Sequence, residues 1–454
     1  MAMNLLSRST APATPLDAVY GRVTRKFVPL LFTCYLFNYV DRTNIGFAQL
    51  QMRGDLGFTA MAYGLGAGIF FISYSLFAVP SNLLMAKIGA RKTIFGCLAL
   101  WGLTSSATML VRTPFEFYVA RFLLGVVEAG FFPGVIFYIT QWYPSHRRAN
   151  VTGIFQSATV VAGVVSGLLS GALITYLDGV WNLRGWQWMF LLEGLPSIVM
   201  GILVLRSLDD RPQQAAWLSH EEKALILEAL DNDSATASGS HTFREALADW
   251  RVYLLGAIFF SSVIGTYALA FWQPMMIRNF NISSIMRIGI YSTIPALAAV
   301  AAKIWIGYHS DKQRELRWHF AVPAFAGAFG MLLIPFAAQN PLVGIVCLAI
   351  ATAGVHGCIP VFWSMPGLYF SGTAAAGGIA LISTLGNFAG AVGPVLLGYA
   401  KSQTGTFDTG LYAMSGLLVI AGILVLTMLS PGRLLPNPAI PASKDFAAGR
   451  KLPT

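Results

Sequence analysis

The sequence predicts an all-α membrane protein with twelve transmembrane helices in two pseudo-symmetric six-helix bundles. Both termini are expected on the cytoplasmic side. Of the 454 residues, 56% are apolar and only 11% charged, about half the charge density of an ordinary soluble domain. About twelve stretches supply the roughly 20 apolar residues that one helical crossing requires. The basic residues are also unevenly placed: 21 of the 30 Lys and Arg fall in segments assigned to the cytoplasm, against 6 in outward loops. That bias is the positive-inside rule, and it sets the orientation. It also accounts for the net charge of +10 without any nucleic-acid partner.

The expected spans are 27–48, 61–83, 93–111, 114–139, 149–176 and 187–206, then 252–276, 286–308, 319–337, 341–366, 372–400 and 409–430. They divide the chain into a cytoplasmic tail 1–26, a bundle 27–206, a central cytoplasmic loop 207–250, a bundle 251–430 and a tail 431–454. The polar first 26 residues and the long first apolar run lead us to expect a retained anchor and no cleaved signal. The fifth and eleventh spans carry Gly163, Gly167 and Gly171, and Gly386, Gly390, Gly393 and Gly398. Small residues let helix backbones approach closely in lipid. In the central loop, Ser219 followed by Glu222 predicts a capping box opening a helix over 221–230, with a flexible linker at 231–240. The halves repeat at an offset of about 225 residues, the arrangement of transporters that bind substrate between two repeats. Cys34, Cys97, Cys347 and Cys358 sit in apolar runs without metal-ligand spacing, so no metal or disulfide is expected.

Charges inside spans need a reason, since each costs about 2.5–3.5 kcal/mol at the bilayer centre on insertion scales. Asp41 and Arg42 lie toward the outer part of span one, where Asp41 could also serve as an exposed cap. Arg121 and Glu128 lie on one face of span four, roughly 10 Å apart along its axis, too far to pair within the helix. A guanidinium can grip a carboxylate bidentately, and a buried carboxylate can titrate. Together they suit an anion carried with a proton. A buried bridge that fixes helix packing is the alternative reading. Lys303 is expected to snorkel to the cytoplasmic interface, and His356 to be a satisfied interior histidine.

Several local sequences occur in order and in matching spans: Asn38 to Arg42, Pro80 to Asn82 with Gly89 to Arg91, Arg121 to Gly125, and Glu128 to Pro133. Gly185 to Trp188, Trp217 to Ser219 and Gly372 to Ala376 follow. Over essentially its whole length the chain resembles the major facilitator superfamily. More narrowly it resembles the anion:cation symporters, above all their tartrate-transporter-like branch. The resemblance implies proton sites at Asp41 and Glu128, a substrate-carboxylate contact at Arg42, and Arg121 coupled to Glu128. It also implies substrate contacts from Tyr39, Tyr74, Gln156, Trp363 and Asn387, whose apolar bodies and polar tips suit hydroxy acids. Ser383 departs from the asparagine common at that place in relatives. The turns after spans two and eight look like the superfamily's gating signature, with Lys87 and Arg91 in the first half and Asp311, Lys312 and Arg314 in the second. Ala86 stands where the first turn would carry its acid, which implies an asymmetric gate.

The function expected is therefore proton-coupled symport of a small organic carboxylate (tartrate-like, sugar-acid or aromatic) by alternating access. The carrier is expected to be a monomer in a bacterial-type inner membrane, needing no cofactor beyond the proton. A proton-independent facilitator or exchanger is the alternative. A membrane-embedded enzyme or a transport-like sensor is disfavoured, since no nucleotide loop, two-histidine metal motif or Ser/His/Asp set is present. The first bundle is expected to handle proton and anion, and the second to select which anion fits.

Overall fold

A computed structural model describes residues 15–235, 249–337, 340–366 and 372–428. Both tails beyond these limits, the linker from 236 and the last two residues of the twelfth expected span lie outside the described residues. The first rod is α1 (Pro15–Thr43) with α2 (Ile45–Leu56). It is followed by α3 (Ala60–Ile88), α4 (Ala90–Ala107), α5 (Pro114–Glu128) with α6 (Phe131–Trp142), α7 (Ser145–Gln156) with α8 (Ala158–Tyr176), and α9 (Gly185–Ser207). After α10 (His220–Ala235), the second half contains α11 (Trp250–Asn279), α12 (Ile285–Gln313), α13 (Arg317–Leu333), α14 (Pro341–Ser364), α15 (Gly372–Thr404) and α16 (Asp408–Met428).

Helices are the expected solution, because a backbone in lipid must satisfy its own hydrogen bonds. Among the described residues, eleven helical segments are long and apolar enough to cross a bilayer. The α1–α2 rod is not one of them. Asn38, Asp41, Arg42 and Asn44 make it too polar, so the span richest in candidate site residues is the one that hydropathy undervalues. The helix is also longer than expected, starting at Pro15 and resuming after Asn44 to end at Leu56.

The halves meet through crossed pairs, α3 on α15 and α8 on α12, with α2 against α11. Glycine makes these crossings possible. A Cβ at Gly64 would lie 2.7 Å from the Pro394 carbonyl, and one at Gly167 would lie 2.8 Å from the Gly289 carbonyl. The glycines singled out in spans five and eleven split by role. Gly167, Gly171, Gly390 and Gly398 face the other half, while Gly386 and Gly393 receive α11.

Hydrogen bonds between the halves lie at the end of the molecule carrying the α2–α3 turn. There Gln49 Nε2 and Tyr63 OH both donate to the Phe271 carbonyl at 3.0 and 3.1 Å. Arg278 donates to the Leu50 carbonyl at 2.7 Å, and the Met61 amide to Ser402 Oγ at 2.9 Å. Pro274, inside α11, has no N–H for the Ala270 carbonyl, which loosens the turn that presents Phe271. Among the described residues, hydrogen bonds between the halves occur only at this end. At the opposite, basic end no hydrogen bond joins the halves among the described residues.

The central segment is docked. Ser219 and Glu222 form the capping box, with N···O distances of 2.9 and 3.2 Å. Trp217 stacks on Trp142 with centroids 6.1 Å apart, donates to Asp209 at 2.9 Å and carries Lys26 over its ring. Residues 231–235, expected as linker, continue α10 because Asp233 binds Ser145 and Arg148.

Gly289→Val would drive a side chain into the Gly167 carbonyl. The expected overpacking cost is about 1–3 kcal/mol, borne by the closed end. An impermeant thiol reagent added from that side should then label a Ser292→Cys reporter faster than in the glycine parent. Unchanged labelling would remove this crossing as the closure.

Candidate functional site

Two of the first half's spans break where their charges sit. α1 ends at Thr43, one residue beyond Arg42, and α5 ends on Glu128 itself. Close packing then gathers the charges. A Cβ at Gly125 would overlap the Phe70 carbonyl and Ser73 Oγ, and one at Gly130 would lie 3.0 Å from Ser81. With no side chain there, α5 and α6 lie directly on α3 and bring Phe70 and Tyr74 against the charged groups.

Arg42 donates from Nη2 to Glu128 Oε1 in an ion pair whose carboxylate is 1% exposed. Its guanidinium lies 5.3 Å from the Phe70 ring and 5.4 Å from Tyr74. Arg121 lies over the same Phe70 ring at 4.8 Å, so one aromatic face carries two cations. The implied Arg121–Glu128 coupling takes a different form: Arg42 holds the carboxylate, and buried Nε and Nη2 of Arg121 have no partner among the described residues. Arg121 remains within electrostatic reach of Asp41 and Glu128.

Asp41 is no exposed cap. It is 1% exposed and accepts from Trp101 Nε1 at 2.6 Å, from Asn44 Nδ2 at 3.1 Å and from Ser105 Oγ. Trp101 and Ser105 are four apart on α4, which puts both donors on one face. Asn44 also adjoins a further acid, Glu193 of α9. Glu193 is 1% exposed, accepts from Ser170 Oγ at 2.8 Å and leaves its other oxygen unpartnered. The sequence reading passed over Glu193, although its signal was that of the other intramembrane charges: a carboxylate in an apolar run. Trp101, Ser105 and Ser170 gave no such signal, since hydroxyls and indoles are common in packed helices.

A cavity between the halves is bounded by Tyr39, Thr43 and Ser166 on one side and by Ser292, Lys303 and His356 on the other. Thr43 and Ser166 share a hydroxyl contact of 3.0 Å, tying α1 to α8. Of the expected substrate contacts, Tyr39 lines this cavity and Tyr74 stays with Arg42. Gln156 is exposed at the end of α7, Trp363 packs edge-on to Phe259 with centroids 4.9 Å apart, and Asn387 is half-buried. None of these three borders the cavity. Lys303 corrects the reading that sent its amine to the interface. α12 runs ten residues past it to Gln313, about 15 Å of helix, and its side chain turns into the cavity.

The gating turns are equally asymmetric. Asp210, just beyond α9, accepts from the Arg91 amide at 2.8 Å, so an acid from another loop fills the N-terminal turn of α4. Among the described residues, Lys87, Asp311 and Lys312 form no ion pair, and Arg314 ends α12 in the left-handed region at φ 51°. Burial alone would raise the neighbouring Glu315 carboxyl. Donors from the Trp318 amide at 2.9 Å, the His319 amide at 3.2 Å and the His319 ring at 2.7 Å outweigh it and hold the group below its usual range.

Broken helices carrying charges, two halves crossed through glycine and a cavity on the seam define a membrane transporter rather than an enzyme. Residues 31–394 match the family model of the Major Facilitator Superfamily, and the chain belongs to that superfamily. Within it the chain sits with tartrate-transporter-like members. A protein provisionally named a tartrate transporter of Agrobacterium vitis is 41% identical over 411 residues, 90% of this chain and 94% of that one. NicT of Pseudomonas putida, provisionally named a metabolite transport protein, is 42% identical over 92% of this chain and 95% of its own. A quinolone resistance transporter of Acinetobacter baumannii is 39% identical over 89% and 94%. The fold also matches an inward-facing bacterial homologue of the human lysosomal transporter Spinster, with TM-score 0.72 and 18% identity over 90% and 96% of the two chains.

Trp101→Phe removes one of Asp41's donors. A hydrogen bond to a charged group is worth about 1.5–3 kcal/mol and a neutral one about 0.5–1.5. A loss in the upper range, read from thermal unfolding in detergent against the parent, is expected for an ionised Asp41. A loss near zero would show that the indole does not hold the acid.

Proposed function

We propose that the protein takes up a small organic carboxylate with protons across a bacterial inner membrane, its basic end facing the cytoplasm. The observation that carries this reading is the Arg42–Glu128 pair beside the unpartnered Arg121. The four charges Asp41, Arg42, Arg121 and Glu128 sum to zero. A carboxylate arriving at Arg42 must compete with Glu128, and it adds a negative charge to a site walled by Phe70 and Tyr74. Protonating Glu128 solves both problems, because it releases the guanidinium and restores neutrality. Proton and anion are then bound together by the cost of unbalanced charge in a low-dielectric site. The tartrate-like relatives support a hydroxy-acid substrate, and Tyr39 and Thr43, flanking Arg42, supply hydroxyls to meet one.

The basic end, where no hydrogen bond joins the halves among the described residues, gives the direction of release. Once the substrate leaves toward the cytoplasm, Glu128 loses its proton to the same side and recaptures Arg42. Asp41, enclosed by its own three donors and outside the Arg42–Glu128 ion pair, suits the second step of a relay.

In proteoliposomes, an inward proton gradient should drive accumulation of tartrate-like acids. Glu128→Gln should abolish gradient-driven accumulation while substrate counterflow persists. Accumulation by the parent that ignores the gradient would overturn proton coupling in favour of facilitated exchange.

A further inference from the structure

From the cavity wall contributed by the second half, we infer a second anion-binding pole built from Lys303 and His356, and hence a substrate with two acidic groups. The inference rests on the carboxylate-transport reading and adds the number of charges the substrate carries.

Three observations converge on this wall. Lys303 lines the cavity and has no ion pair or hydrogen bond among the described residues. His356, from α14, lines the same cavity, and its buried Nδ1 has no partner among the described residues. Lys303 stands close enough for its charge to act on the imidazole. Ser292, 4% exposed, borders the cavity on the same face of α12 as Lys303, about 16 Å along the axis, and its Oγ has no partner among the described residues. A buried polar group without a partner costs about 1–3 kcal/mol, so the His356 Nδ1 beside Lys303 marks the place of a missing acceptor. A carboxylate supplies what this pair lacks: a negative charge for the ammonium, and a lone pair for the imidazole N–H.

Charge counting sharpens the assignment. Arg42, Arg121, Asp41 and Glu128 balance among themselves, and Lys303 has no acid paired with it at the cavity among the described residues. One carboxylate, entering with a proton on Glu128, meets the balance at Arg42. A second carboxylate on the same molecule meets Lys303 with no further proton. Tyr39 and Thr43 line the first half's wall, with Arg42 between them in sequence but not itself bordering the cavity, and Lys303 stands on the facing wall, so such a molecule would bridge the two halves. A monoacid would leave the Lys303 pole empty.

The test uses purified full-length protein and matched probes, tartrate, malate and phthalate, each against its monoamide, which keeps the shape and removes one charge. Thermal-shift titration should show the parent binding at least one diacid at least about tenfold tighter than its monoamide, as expected for one charge-assisted contact. Lys303→Gln should bring that ratio close to one while monoamide binding is kept, and Lys303→Arg should restore much of it. His356→Gln should lower the ratio partially. A parent that binds no diacid, or does not prefer it, overturns the inference, as does a Lys303→Gln protein that keeps the full preference. The symport reading fails separately. If gradient-driven uptake is absent while the Lys303-dependent preference stands, coupling is wrong and the second pole is right. If Lys303→Gln still concentrates monoamides along a proton gradient without any parent preference for diacids, the reverse holds.

Discussion

Charge balance inside a medium that cannot solvate charge governs most of this molecule. The Arg42–Glu128 pair is its centre, and neither partner could be removed alone without leaving an uncompensated ion, a loss of about 3–5 kcal/mol for a buried pair. The architecture around it follows. α1 and α5 break where the pair forms, and glycines at 125 and 130 draw α5 and α6 onto α3. Phe70 offers one ring to both arginines. Asp41 has its own donors from α4 and Asn44, so the two acids occupy different surroundings.

The fold was legible because lipid imposes a simple code. Apolar runs of the right length, basic loops and glycines at helix crossings specify the spans, and the spans specify the topology. The site was legible in part for the same reason, since Asp41, Arg42, Arg121 and Glu128 stand out in greasy sequence. What escaped was relational. Trp101 and Ser105 look like packing until Asp41 is seen between them. Asp210 fills a gap left at Ala86 only because α9 returns to the start of α4. Lys303 looked close to the interface because the end of span eight was placed at residue 308, whereas the helix runs to Gln313. Glu193 is different in kind, because the rule that found Glu128 applied equally to it.

The expectation that the first half handles charge and the second selects shape needs revision. Lys303 and His356 bring charge and a polar ring to the second half's wall, so the seam has polar groups on both sides. The halves remain unequal: the first carries buried acids next to its arginines, and the second a cation without an acid. A ligand lying in the seam would touch both bundles at once, which is what allows a ligand to bias one arrangement of the halves over another.

The two ends of the seam close by different physics. At the α2–α3 end, glycines let backbones meet, and neutral donors such as Gln49 and Tyr63 reach helix carbonyls. That contact depends on shape and is largely indifferent to salt or protonation. At the basic end, the groups that could meet are Lys87, Arg91, Asp311, Lys312 and Arg314, with Arg91 already engaged by Asp210. Four of these five are cations. Bringing the turns together therefore raises repulsion unless acids such as Asp311 cross over to meet them, and exposed pairs contribute only about 0–1 kcal/mol each. The balance thus favours the form seen here, with hydrogen bonds across the seam at one end and none at the other among the described residues. Closing the basic end requires something that pulls both cavity walls inward, and an anion bridging Arg42 and Lys303 would do so.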